Sequence, residues 1–176
     1  MAILAFGACG GAPARQPVDA RRDFPVYGAR DATLFDDRIE AAAVGLADVA
    51  TRPSTDATLR ARTQAAEAVA RIRVSTVSVE SVGGRPIYHL SLSLVDRFVT
   101  ERFTEGDVEI AVRPDAPAFG IVKWLDTGLI GRTFIGFFRR YGSADDPQVR
   151  FHLAPDNPEV VAAVTLAKTL REVRGK

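Results

Sequence analysis

The sequence predicts an α+β domain: a mostly antiparallel β-sheet of about five to six strands packed with two amphipathic helices. Three observations carry this expectation. Two alternating apolar/polar runs, Ile72 to Val79 and Tyr88 to Leu94, flank Gly83-Gly84, as in a hairpin closed by a tight turn. Two other segments, near residues 56–70 and 158–176, carry apolar residues at helical spacing. The chain is 47% hydrophobic and 26% charged over 176 residues, the balance of one ordinary folded domain.

From Arg21 to Pro53 the pattern is mixed. Phe24, Val26 and Tyr27 are apolar islands among turn residues, and Leu34-Phe35 precede Asp36-Asp37. Ile39 to Leu46 fits a short helix or an extended segment: Ala41-Ala42-Ala43 favours the first, Gly45 disfavours it. Pro53 ends this stretch by biasing Arg52 away from the α region. A helix is expected from about Asp56 to Ala70. Ser54 or Thr55 can accept its first free N–H groups, and Asp56 suits its positive end. Leu59, Thr63, Ala66 and Val69 share one face, and Arg60, Gln64, Glu67 and Arg71 the opposite one.

The period then changes to two. Ile72, Val74 and Thr76 alternate in one phase and Val77 and Val79 in the other, so a bulge is expected near Thr76. Tyr88, Leu90, Leu92 and Leu94 form the return strand, and Val108, Ile110 and Val112 a third, closed by Pro114. Phe119 to Leu125 fits either a strand or one or two helical turns opened by Pro117, with Asp126-Thr127-Gly128 as a turn. Thr133 to Tyr141 is apolar on both faces, which predicts a central strand. After a loop from Gly142 to Pro147, Val149, Phe151 and Leu153 alternate with Arg150 and His152 in a last strand. Asn157-Pro158-Glu159 then opens a helix with a cap, a proline where no N–H is needed, and an acid at the positive end. Its stripe is Val160, Ala163, Val164, Ala167 and Leu170. The simplest assembly is an antiparallel sheet covered on one face.

Composition excludes several functions. Lys plus Arg total 23 against 22 acidic residues, a net charge of +1, and no basic block is present, so nucleic acid is not an expected partner. Only Lys123, Lys168 and Lys176 are lysines; the Arg and Ala excess with one Asn is the signature of a GC-rich genome. No run of apolar residues is long enough for a spanning helix. One cysteine forms no intramolecular disulfide, and with two histidines no Cys/His metal site is expected, nor any cofactor.

Residues 1–23 read as a separate segment ahead of a single domain at 24–176. Ala2 to Phe6 are apolar, Gly7-Ala8 precede Cys9, and a Gly/Ala/Pro/Gln stretch with Pro13 and Pro17 follows, suited to a flexible tether. Phe6-Gly7-Ala8-Cys9 resembles the cleavage region of a bacterial lipoprotein signal, in which the thiol after the cut carries the lipid. Phe6 stands where that pattern prefers an aliphatic residue. The only positive charge before the apolar stretch is the amino terminus, so either a longer signal with a basic head precedes Met1 or this is an ordinary cytoplasmic tail with a cysteine after two small residues; the Pro-containing stretch that follows favours the first. Leu34-Phe35-Asp36-Asp37-Arg38-Ile39-Glu40 and Phe151-His152-Leu153-Ala154-Pro155-Asp156 resemble small uncharacterised bacterial lipoproteins, some labelled as cobalamin-import binding components. The resemblance implies lipidation at Cys9, a membrane partner through the anchor, and a place in the cell envelope facing the periplasm.

Few constellations carry chemistry. No Gly-x-Ser-x-Gly occurs, and Cys9 lies in a tail that holds no base beside it. Gly128, Gly131 and Gly136 are assigned to turns and close packing. Asp36-Asp37 and Asp145-Asp146 are expected to be solvated turns in preference to Ca²⁺ or Mg²⁺ ligands, and His89 and His152 structural or surface residues. An aromatic cluster of Phe119, Trp124, Phe134, Phe137, Phe138 and Tyr141, with Lys123, Asp126, Arg139 and Arg140, is either core or the wall of a small-ligand pocket. The candidate pocket residues are Trp124, Phe134, Phe137, Arg139 and Tyr141. The functional expectation is an envelope-anchored lipoprotein with a non-enzymatic binding or structural role. The alternatives are a periplasmic small-ligand-binding component linked to transport, such as cobalamin import, a soluble enzyme with a dispersed site, and a cytoplasmic interaction domain.

Overall fold

The computed structural model describes residues 24–47, 52–100 and 108–174. Its elements in chain order are α1 (Ala29–Leu34), β1 (Arg38–Ile39), α2 (Ala57–Ala65), β2 (Ala68–Val82), β3 (Arg85–Thr100), β4 (Val108–Val112), α3 (Phe119–Leu125), β5 (Thr133–Gly142), β6 (Pro147–Pro155) and α4 (Pro158–Arg174). The six strands form one sheet in the order β1-β6-β5-β2-β3-β4. Only the β1–β6 pair is parallel; every other neighbour is antiparallel.

The long β2–β3 hairpin turns at Gly83 and Gly84, with φ of 59° and 76°, values that glycine adopts without a Cβ clash. A register shift between Val74 and Thr76 is the bulge that the change of phase requires. β5 is central, flanked by β6 and β2. One face of the sheet buries Ile72, Leu90, Leu92, Ile110, Phe134, Phe138, Phe151 and Leu153. The sheet curls toward this face until Cα atoms of β4 and β6 come within 8 Å, although three strands separate them in the sheet order. The other face buries Val69, Ile135, Phe137 and Tyr141 beneath Leu34, Leu59, Val160 and Val164.

Cover on one face is therefore too little. Val122 of α3 and Leu129 of the 3₁₀ turn Asp126–Leu129 seal the Phe134 face, opposite the one covered by α1, α2 and α4, because β5 is apolar on both. The expected helix to Ala70 ends at Ala65 instead. Ala66 is extended, the Glu67 N–H donates to Phe138 O at 3.0 Å, and Ala68, Val69 and Ala70 pair with Phe138, Phe137 and Gly136. Sheet pairing along both edges of this segment outweighs its helical spacing. Ile39 to Leu46 takes both of its expected forms, two residues of strand and then a 3₁₀ turn at Ala41–Val44 closed by Gly45. Phe119–Leu125 is helical.

Candidate functional site

β1 is two residues long, and its pairing with β6 sets Arg38 beside His152 and Ile39 beside Leu153. This short join brings the 31–40 segment against residues 150–152, more than a hundred positions away in the chain. Asp37, just before β1, has φ of 49°, a left-handed conformation that Asp tolerates better than most residues. Its N–H donates to Phe151 O at 3.0 Å, and its own carbonyl accepts from Ala118 N–H at 3.0 Å. The Asp37 carboxylate accepts from the Arg150 guanidinium and from Phe151 N–H. Burial pushes this carboxyl above the ordinary 3.8, and the Arg150 and Phe151 hydrogen bonds only partly offset it.

Asp36 points the other way, toward His152. The His152 side chain is only 4% exposed, and its Nδ1 and Nε2 lie 2.8 Å from Asp36 Oδ1 and 2.8 Å from Glu40 Oε1. Burial alone raises the Asp36 carboxyl, but its hydrogen bonds and charge contacts with His152 and Arg38 outweigh that and hold it below 3.8. Arg62 of α2 is buried in the same region. Its Nε donates to Leu34 O, and its guanidinium lies 5.7 Å from the Phe137 ring centroid. Burial lowers the Arg62 pKa against the pull of Asp36, Glu40 and Asp56. The result is a charged network around a buried imidazole, with Asp36 and Glu40 half-buried at its solvent edge.

On the solvent side of Asp37 a cleft of about 310 Å³ opens, lined by Tyr27, Asp36, Asp37, Arg113, Asp115 and Arg150 among others. A smaller hollow of about 200 Å³, between Glu109–Ala111 of β4 and Pro147–Arg150 of β6, shares Asp37, Arg113 and Arg150 with it. The approach of β4 to β6 is what creates this cleft. The Arg150 guanidinium lies 4.6 Å from the Tyr27 ring centroid, and the Tyr27 hydroxyl donates to Phe35 O at 2.7 Å. Burial raises the Tyr27 phenol above 10.0. Arg113 and Asp115 are exposed and have no side-chain partner among the described residues.

The aromatic candidates do not surround one cavity. Phe134 and Phe137 are fully buried on opposite faces of β5, and Trp124 is 68% exposed on α3. Arg139 and Tyr141 share the Phe137 face, where both reach Asp31, at 3.4 and 3.0 Å. The rings of Phe134, Phe137, Phe138 and Tyr141 are core. Cys9 lies outside the described residues. Asp145-Asp146 is an exposed turn as expected, but Asp36-Asp37 is not: one partners His152, and the other is 7% exposed beneath Arg150. His89 lies between Glu109 and Glu80, at 2.9 and 3.2 Å. Among the described residues no group of His, Cys, Asp and Glu is arranged to hold a metal ion.

Sequence reasoning missed Tyr27, Glu40, Arg62 and Arg113. The one available signal was the placement of Arg150 and His152 on the same side of a strand, opposite Phe151, facing a chain that also carries Asp36-Asp37. Comparisons with protein-family models, with curated proteins and with solved structures each return no match.

Proposed function

We propose that this chain is the folded part of an envelope-anchored lipoprotein, tethered through Cys9, that binds a small molecule without transforming it. The observation that carries the binding role is the cleft between β4 and β6. It holds an unengaged cation, Arg113, and an unengaged anion, Asp115, beside the Tyr27–Arg150 stack. That combination suits a small zwitterion, its carboxylate on Arg113 and its ammonium toward Asp115. A volume of about 310 Å³ favours a molecule of amino-acid size over a macrocycle such as a cobalamin.

The state of the histidines supports binding over catalysis. Each ring nitrogen of His89 and His152 faces a carboxylate, so neither imidazole offers a free nitrogen to a substrate proton. The charged groups behind the cleft are committed to holding β1, β6 and α2 together.

A thermal-unfolding series with free amino acids and betaines as probes tests the binding role. A matching probe raises Tm as its concentration rises above its Kd, the added stability reaching about 2.7 kcal/mol at a hundred times its Kd. Arg113→Ala is expected to abolish the shift while leaving the ligand-free Tm within error of wild type. If no probe moves Tm, or if Arg113→Ala retains the full shift, the cleft is not the binding site.

A further inference from the structure

The outer edge of β6 is paired over only part of its length. Phe151 donates its N–H to the Asp37 carboxylate and accepts from Asp37 N–H, and Leu153 O accepts from Glu40 N–H. Odd-numbered residues of β6 therefore turn their backbone groups away from β5. Val149 follows the same alternation, so its N–H and C=O face the hollow between β4 and β6. Pro147, the next residue back in that row, has no N–H to leave unmet. β1 stops short of this stretch. Its pairing covers only His152 and Leu153, and the left-handed turn at Asp37 carries the chain off the strand. No described residue bonds the Val149 backbone across this edge.

The hollow also carries opposite charge at its two ends. Four antiparallel pairings separate β4 from β6, so the two strands run in the same direction. Glu109 and Asp146 stand near their starts, Arg113 and Arg150 toward their ends, and all four line the hollow. His89 holds Glu109 and Asp37 holds Arg150, whereas Asp146 and Arg113 have no side-chain partner among the described residues. From Glu109 to Arg113 a strand advances about 13 Å.

We propose that this edge binds a free tripeptide with charged termini, laid along β6 as a short parallel strand. The inference rests on the binding role given to the cleft above and enlarges the ligand from one residue to three. The carboxylate stays on Arg113, and the ammonium meets Asp146 instead of Asp115. In a parallel pair one residue bonds to the two neighbours of the residue opposite it. Val149 N–H thus donates to the carbonyl of the first peptide residue, and Val149 C=O accepts from the N–H of the third. Charge fixes the direction, since the reversed peptide sets its carboxylate beside Asp146 and Glu109. Three extended residues span about 10 Å, and the side chains of Asp146 and Arg113 reach across the remainder. Cα atoms of β4 and β6 come within 8 Å, less than the roughly 9.6 Å that a strand paired on both sides needs. The peptide therefore pairs with β6 alone and passes on the solvent side of Ala111, which is small and exposed.

Recognition through termini and backbone does not depend on side chains, so tri-L-alanine is the probe, compared with L-alanine in thermal unfolding of the full chain. Tri-L-alanine should bind at least tenfold more tightly than L-alanine. N-acetylating it should weaken binding at least fivefold in wild type and have little effect in Asp146→Asn. Methylating the nitrogen of its third residue removes the N–H that meets Val149 O and should weaken binding at least tenfold. Saturating tri-L-alanine should slow hydrogen exchange of the Val149 amide at least tenfold, followed by NMR, while L-alanine leaves it unchanged. If L-alanine binds as tightly as tri-L-alanine, or tri-L-alanine binds without protecting Val149, the peptide inference is overturned while the cleft keeps its binding role. If neither compound raises Tm, both fall.

Discussion

Asp36 and Asp37 are adjacent in the chain, yet their surroundings push their carboxyls in opposite directions, and acid titration should separate them. Asp36 is held below its ordinary 3.8, so its contribution to stability is present above that value and fades as pH falls through its lower, folded-state value. Asp37 is raised above 3.8, so its contribution is present below that value and lost as pH rises through the folded-state value. Urea midpoints measured from pH 6 down to pH 3 should therefore fall less steeply with acid in Asp36→Asn than in wild type. In Asp37→Asn they should fall more steeply. Equal slopes in all three proteins would contradict this account of the two sites. At alkaline pH the same logic applies to Tyr27 and Tyr141, both raised by burial, Tyr141 with help from its hydrogen bond to Asp31. Their contribution is complete below 10 and lost as pH climbs through the raised values. His152→Ala removes the ring between Asp36 and Glu40 and leaves both carboxylates without that partner. With both carboxylates partly solvated it should cost about 1–2 kcal/mol in urea unfolding at pH 7, and an unchanged midpoint would contradict a structural role for His152.

The two longer helices show which elements are written locally and which are not. α4 begins where Asn157-Pro158-Glu159 places it, and the Asn157 side chain accepts from Val160 N–H at 2.9 Å. Every part of that signal lies within four residues. α2 also has a local start, since Asp56 Oδ1 accepts from Thr58 and Leu59 N–H at 2.7 and 3.1 Å. Its end is not local. Ala66 to Ala70 keep a helical spacing, yet β5, some seventy residues later, accepts from Glu67 N–H and pairs Ala68 to Ala70 as strand. Asp56→Ala and Asn157→Ala should each cost about 1 kcal/mol, measured by urea denaturation. Within β5, Gly136 leaves space for the Phe138 ring, which lies 2.5 Å from the position of an added Cβ. Gly136→Ala should cost about 1–3 kcal/mol as the ring is forced aside, and an unchanged midpoint would show that Phe138 moves freely.

Over the whole molecule, the α+β class, the hairpin, the bulge near Thr76 and the central position of β5 were legible because period-2 alternation and turn glycines are local patterns. The charged network was not. Asp36 and His152, or Asp37 and Arg150, meet only because a two-residue parallel strand docks on β6, and nothing in either segment alone names the other. The aromatic cluster was legible as apolar but not as divided, because alternation sends Phe134 and Phe137 to opposite faces of one strand. The cleft exists only because the sheet curls β4 toward β6, a property of the assembled sheet. The functional account rests on this passenger being held at a membrane by the sulfur of Cys9. The intact mass of the mature protein, purified from membranes of cells expressing its native gene, tests that most directly. The account predicts a chain beginning at an acylated Cys9; a chain retaining Met1 with an unmodified thiol would contradict it.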